Sequence, residues 1–269
     1  MILPRFLRNF VYIIQDFIDR AKYPDRMIPP RMIRNHVDPN FEQTGEAIKN
    51  VLIEYGDLQP DHRVLDIGSG AGRVAIPLTQ YLSREGEYWG FDIRENNIRW
   101  CQDRITPKFS NFHFQHSDIS NKRYNRKGVI RARDYKFPFD GSTFDLIFLI
   151  SVFTHMLPKD MENYLSEISR LLNKSGKCLF TVFLVNDFRD VPNRSHIRIL
   201  DFKYEGENYR TSVKANPENA IAIKEEYLYK QFNENGLKVS QHKKPRSWFQ
   251  GSFFEEEQDL FIVTKSDDV

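Results

Sequence analysis

The sequence predicts an α/β fold built on a parallel sheet, and three observations carry that prediction. Short runs rich in β-branched and aromatic residues recur from residue 63 onward, with helical patterns between the early ones. The first run, Arg63-Val64-Leu65-Asp66-Ile67, stops at Gly68-Ser69-Gly70-Ala71-Gly72-Arg73, and a helical pattern follows directly. Strands separated by helices imply βαβ units, whose right-handed crossovers put every strand-to-helix turn on one edge of the sheet. At such an edge a glycine turn lets the backbone approach a ligand with no Cβ in the way.

In order along the chain, residues 1–22 read as an amphipathic helix in which Leu3, Phe6, Leu7, Phe10, Ile14, Phe17 and Ile18 recur at helical spacing. Tyr23-Pro24-Asp25 and Pro29-Pro30 end it. The expectation is that its apolar stripe docks on the protein's own core; the alternative is an interfacial helix on a membrane or a partner. A second helix is expected over 41–55, with Gly56 as its stop. Strands are expected at 64–67, 88–93, 111–116, 144–150, 177–185, 237–241 and 260–264, and helices at 72–84, 95–105, 158–173 and 224–235. Two segments break the alternation. One is the polar stretch 121–128; the other is an insertion at about 187–224, in which residues 204–209 read as a short hairpin. Residues 1–60 are therefore taken as a helical cap and 61–269 as the main domain, with the insertion as a substrate lid.

Composition narrows the function. With 269 residues, 40% hydrophobic, one domain can bury roughly 75% of its unfolded surface. Lys and Arg number 39 against 37 Asp and Glu, a balance that disfavours a nucleic-acid protein held by a broad basic face. Cys101 and Cys178 sit in expected helix and strand interiors without metal-ligand spacing, as in a cytoplasmic protein with reduced core thiols. No apolar run approaches the roughly 18 residues of a membrane span.

The glycine turn and the strand tips carry the chemistry. Gly68, Gly70 and Gly72 form G-x-G-x-G, and Arg73 stands where a dinucleotide fingerprint needs its third glycine. Asp66 precedes the turn and suits a ligand with an ammonium group better than a pyrophosphate. Asp92 ends the second strand at the distance where an acidic residue meets a ribose diol, and its neighbour Ile93 would pack on a base. Ser117-Asp118-Ile119 adds an acceptor for an exocyclic amine and another apolar contact. The implied ligand has a cationic end, a ribose and an amino-purine.

These residues resemble the class I S-adenosylmethionine-dependent methyltransferases. The matching stretches are 64–73, 90–93, 116–119, 137–147, 151–156 and 171–176, which cover about residues 60–186. The resemblance implies a three-layer Rossmann-like sheet of seven strands, mostly parallel, with the last strand antiparallel. It implies S-adenosylmethionine as cofactor: Gly68, Ser69 and Gly70 would line the methionine part, with Arg73 closing the motif. Asp92 would hold the ribose, Asp118 would read the adenine amine, and Ser151 and Val152 would close the site near the sulfonium.

An activated sulfonium mainly needs its acceptor held in line, and a hydroxyl acceptor also benefits from a base. His155, four residues beyond Ser151, is the base expected for O-methylation of a small molecule such as a sugar or secondary metabolite. No metal is expected, since Asn186-Asp187 after the fifth strand is half a site at best. His196, Tyr204 and Tyr209 in the insertion, with Arg246 and Trp248 before the last strand, are the expected acceptor contacts. An RNA or protein acceptor would draw its support from Lys122, Arg123, Arg126, Lys127, Arg131 and Arg133. A cofactor-binding scaffold without turnover is the non-enzymatic alternative.

Overall fold

Alternate residues of the strands are buried on opposite faces, which is how a sheet covered by helices on both sides reads. The computed structural model describes residues 5–22, 26–34, 40–185, 201–245, 247–248 and 257–266. Helices α1 (Arg5–Lys22) and α2 (Phe41–Glu54) come first. The alternating part then runs β1 (Arg63–Ile67), α3 (Ala75–Leu78), β2 (Glu87–Asp92), α4 (Glu95–Arg104) and β3 (Phe112–His116). Two short strands, β4 (Ile119–Ser120) and β5 (Ile130–Arg131), pair with each other, and β6 (Phe144–Leu149), α5 (Pro158–Leu171) and β7 (Leu172–Val185) follow. The described part of the insertion holds β8 (Tyr204–Gly206), β9 (Tyr209–Thr211) and β10 (Ile221–Lys224). The chain closes with α6 (Glu225–Glu234), β11 (Leu237–Lys243) and β12 (Asp259–Lys265).

The main sheet has the order β3-β2-β1-β6-β7-β12-β11, parallel except for β12, which runs antiparallel between its two neighbours. This is the Rossmann-like sheet with its antiparallel last strand. The count is larger than seven, because β8, β9 and β10 extend it: β12 pairs with residues 177–182 of β7, and β10 pairs with residues 183–185. The run Ile221-Ala222-Ile223, expected as the end of a loop, forms β10.

Leu65, Ile67, Ile147, Leu149 and Phe180 face α5 and α6. Val64, Leu146, Phe148 and Leu179 face α2, α3 and α4. Each such side chain contributes roughly 1.5–3 kcal/mol by leaving water. The helix expected over 72–84 narrows to α3. Pro77 has no N–H to donate, and the following residues close tight turns, Tyr81 N to Leu78 O at 3.0 Å among them.

The amphipathic helix α1 does not pack its apolar stripe on the core as expected. It is held by its polar face, and the apolar residues point outward, with Phe10 61% and Phe17 73% exposed. Arg31 makes the attachment: its backbone N–H donates to Asp16 Oδ2 at 2.9 Å and its guanidinium to Asp16 Oδ1 at 2.8 Å. Asp19 Oδ2 pairs with the same guanidinium at 2.8 Å. Among the described residues, no helix is long and apolar enough to cross a membrane.

Candidate active site

The strand order sets the tips of β3, β2, β1 and β6 side by side at one edge. The glycine loop leaves β1 there, with Gly68, Gly70 and Gly72 at positive φ (83°, 56° and 78°). Gly68 must be glycine for a second reason: a Cβ on it would lie 2.6 Å from Val152 Cγ2. Backbone N–H groups of Gly68 and Ser69 donate to Phe91 O at 2.8 and 3.1 Å, which ties the loop to β2.

Asp92 completes that tie. Its Oδ2 accepts the Gly70 N–H at 2.9 Å and its Oδ1 accepts the Arg94 N–H at 2.7 Å. Burial pushes its carboxyl above the usual range, against the pull of those two N–H groups. Each oxygen keeps a further lone pair for a ligand hydroxyl.

Two buried polar atoms next to the loop have no partner among the described residues: Ser69 Oγ and Asn97 Oδ1. The Asn97 amide lies beside Gly70, 4.0 Å from where a Cβ would stand. Buried polar atoms are rarely left unbonded, and Ser69 Oγ lies against β2, 3.0 Å from where a Cβ on Gly90 would stand. Asn97 was not among the expected site residues. Its signal is a polar side chain in the first turn of the helix after an acid-tipped strand.

Other expected residues fall out differently. Asp66 is only 4% exposed and accepts the Tyr88 hydroxyl at 2.6 Å, so it supports the loop from beneath rather than facing a ligand's ammonium group. Burial pushes its carboxyl up to about 7. Arg73 is half-buried at the end of the loop, and its carbonyl lies against Gly45 of α2. Ile93 is half-buried and packs on the core. Asp118 sits just beyond β3, where its Oδ1 accepts from Asn125 Nδ2 at 3.1 Å. Ile119 is 2% exposed and belongs to the core through β4, which leaves it little face for a base.

After β6, Ser151 adopts φ 58°, a left-handed conformation that a non-glycine residue keeps only when its surroundings hold it. Its N–H donates to Thr181 Oγ1 at 2.8 Å, and its hydroxyl accepts from Gln258 Nε2 at 2.8 Å. The half-buried Val152 then rests over Gly68. Trp248 corrects an expectation. It is 5% exposed, its indole N–H donates to Gln258 O at 2.9 Å, and it packs in the core beside Leu260 and Ile262 instead of lining an acceptor site.

His155 is where the two irregular segments meet. Its Nδ1 lies 3.0 Å from Glu218 O, and a carbonyl can only accept, so Nδ1 carries the proton. Nε2 therefore offers a lone pair, and the Tyr124 hydroxyl, 3.2 Å away, donates to it. The Glu218 carboxylate accepts from Asn121 Nδ2 at 3.0 Å and from the Lys122 N–H at 2.9 Å, while Asn121 also reaches His155 O at 3.1 Å. Burial, aided by Arg123, pushes His155 down to about 4, so the ring is neutral at physiological pH. Tyr124 is near enough to Asp92 and Arg94 to feel both charges. Glu218, Asn121 and Tyr124 were not among the expected site residues; Asn121 and Tyr124 fall in the polar stretch that breaks the alternation, while no local pattern marks Glu218.

Tyr204 and Tyr209 are half-buried on the hairpin β8–β9, with Tyr209 opposite Ile223 of β10 and packed on the core. His196, Arg246 and the half-site Asn186-Asp187 lie outside the described residues.

A model of the methyltransferase domain matches residues 58–236, and the chain belongs to that family. Its fold is shared with solved S-adenosylmethionine-dependent methyltransferases. Among curated proteins it is similar to the ubiquinone/menaquinone biosynthesis C-methyltransferase UbiE of Wigglesworthia glossinidia brevipalpis, 26% identical over 135 residues. That alignment takes in 50% of this chain and 48% of the relative, so the chain spans about half the length of the curated relatives it matches. Among solved structures, the PH0226 protein of Pyrococcus horikoshii OT3 shares the fold at TM-score 0.57 and 18% identity, over 88% of this chain and 96% of that one. The 1,6-didemethyltoxoflavin-N1-methyltransferase of Burkholderia thailandensis, solved with bound 1,6-didemethyltoxoflavin and S-adenosylhomocysteine, does so at TM-score 0.52 and 15% identity, over 99% and 93%.

Proposed function

We propose that the chain methylates a hydroxyl oxygen of a small molecule such as a sugar or secondary metabolite, with His155 as the base. The observation that carries this reading is the orientation of His155, whose ring must take its proton against the burial that holds it down to about 4. Its Nδ1 proton is fixed on Glu218 O, and its Nε2 lone pair is turned to Tyr124 beside the acid-tipped strands. When bound, the cofactor supplies a methyl group on a sulfonium that is already activated. Asp92 would accept the ribose hydroxyls, Ser69 and Asn97 would bond the cofactor's polar groups, and Asp118 would accept from the adenine amine. Ser151 and Val152 would close over the sulfonium end. His155 would take the acceptor's proton through the Tyr124 hydroxyl, which passes its own proton to Nε2 as it receives the new one. The hairpin with Tyr204 and Tyr209, His196 and Arg246 are the acceptor-side elements of this reading, and the segment 187–224 is its lid.

A polymeric acceptor is disfavoured because much of the basic run is consumed within the chain. Arg123 bonds Asn219 Oδ1 at 2.7 Å, Arg126 bonds Lys122 O at 2.7 Å, and Arg131 and Arg133 pair with Asp134 and Asp160. A carbon acceptor is the second reading, favoured by the C-methyltransferase relatives.

The test is a panel of sugars, phenols and enols, scored by release of S-adenosylhomocysteine and by the position of the new methyl group. For His155→Ala the expected result is turnover lowered about 10²–10⁴-fold with unchanged affinity for S-adenosylhomocysteine. Turnover equal to the unsubstituted enzyme on its acceptor would remove His155 from the base role, and a methyl found on carbon would establish the second reading.

A further inference from the structure

We propose that α1 seats the enzyme on an anionic lipid surface. The helix is attached to the protein in the inverse of the usual sense. Asp16 and Asp19, on its polar side, are clamped by Arg31, while Phe10, Ile13, Ile14, Phe17 and Ile18 are 44–73% exposed. At 3.6 residues per turn these apolar positions, with Leu7 and Val11, fill an arc of roughly 160°, and Tyr12, Asp16 and Asp19 lie opposite. Monomeric surfaces rarely leave so continuous an apolar strip facing water.

Charge selects the occupant. Residues 1–34 hold seven Arg and Lys against three Asp, a net +4, although the whole chain carries only +2. The remainder is thus −2, and the positive end coincides with the apolar strip. A second copy of the chain would bring an equal positive charge against this one. A phospholipid surface with anionic headgroups offers the opposite charge at its rim and hydrocarbon beneath it. The 18-residue helix suits that role lying flat, with its apolar arc in the headgroup boundary and the catalytic domain held to it through Arg31.

The experiment is co-sedimentation of the full chain with phosphatidylcholine vesicles, with and without phosphatidylglycerol. We expect binding to the anionic vesicles, about tenfold weaker binding without phosphatidylglycerol, and weakening as salt is raised. The double substitution Phe10→Glu with Phe17→Glu should abolish binding and leave S-adenosylhomocysteine affinity unchanged, since both rings are exposed. Failure to bind anionic vesicles overturns the proposal. So does equal binding by the double variant. A dimer in solution that the double variant dissolves, without vesicle binding, would assign the face to a second copy instead.

Discussion

Asp92→Asn tests the proposed ribose-binding role of the β2 tip apart from its structural one. Both carboxylate oxygens already accept a backbone N–H, from Gly70 at 2.9 Å and from Arg94 at 2.7 Å. An amide has one oxygen, so its NH₂ must oppose one of those two donors, and it offers the ribose one acceptor fewer. A hydrogen bond to a charged group contributes about 1.5–3 kcal/mol. One such bond lost on the loop side or the ligand side, with the other weakened, gives about 3 kcal/mol, or roughly 10²-fold in affinity. Stability should move far less. Burial pushes the Asp92 carboxyl above its usual range, so the fold already disfavours the charge that the amide removes. The assay is calorimetric titration with S-adenosylhomocysteine beside a melting curve. We expect a dissociation constant about a hundredfold higher and a melting temperature within a few degrees of the unsubstituted protein. Affinity within about threefold would refute the ribose assignment. Asp92→Ala, which leaves both N–H groups unpaired at about 1–3 kcal/mol each, should destabilise the protein as well.

Two further substitutions test the corrected residues. Asp66 has a folded-state value near 7, above its ordinary 3.8, so the fold favours its protonated form. That contribution is full below the ordinary value and is lost as pH rises through about 7. Asp66→Asn should therefore gain stability over the unsubstituted protein as pH goes from 4 to 8, by up to about 4 kcal/mol, in a pH series of melting curves. Parallel curves would contradict the burial argument. Trp248→Phe removes the indole N–H donated to Gln258 O. It should cost about 1 kcal/mol of stability and leave the acceptor KM unchanged, whereas a raised KM would return Trp248 to the acceptor site.

The legible parts of this molecule are those whose cause is local. Positive φ at the β1 turn demands glycine, so the loop is written in Gly68, Gly70 and Gly72. Asp92 is legible as part of that loop, since an acid at the neighbouring strand tip can accept the N–H groups of Gly70 and Arg94. Amphipathicity places an apolar stripe on α1 without saying what covers it, and the Arg31 clamp that turns the stripe outward joins residues 15 apart. Trp248 carries an apolar body and a polar edge, which suit a core and a ligand equally. Glu218 reaches His155 across 63 residues of chain, and no periodicity reports a contact of that span. The run Ile221-Ala222-Ile223 was readable as a strand, being apolar and rich in β-branched residues, but the helical pattern directly after it masked the boundary.

The antiparallel β12 fills the interior of the sheet, between β7 and β11, although it follows both of them in the chain. Its partner edge on β7 is complete at Val185, and Asp259 follows about 74 residues later. At 5–20 residues per second a ribosome takes roughly 4–15 s to cover that gap. Throughout it, the β7 edge lacks its partner, and Phe180 waits for Phe261, on which it stacks at 5.6 Å in the finished fold. The nascent chain thus presents an apolar, hydrogen-bonding edge for seconds, and a chain ending before residue 259 would present it permanently. Premature termination late in the message should therefore yield aggregating fragments or chaperone clients, even though every residue of the glycine loop and the Asp92 tip has already been made.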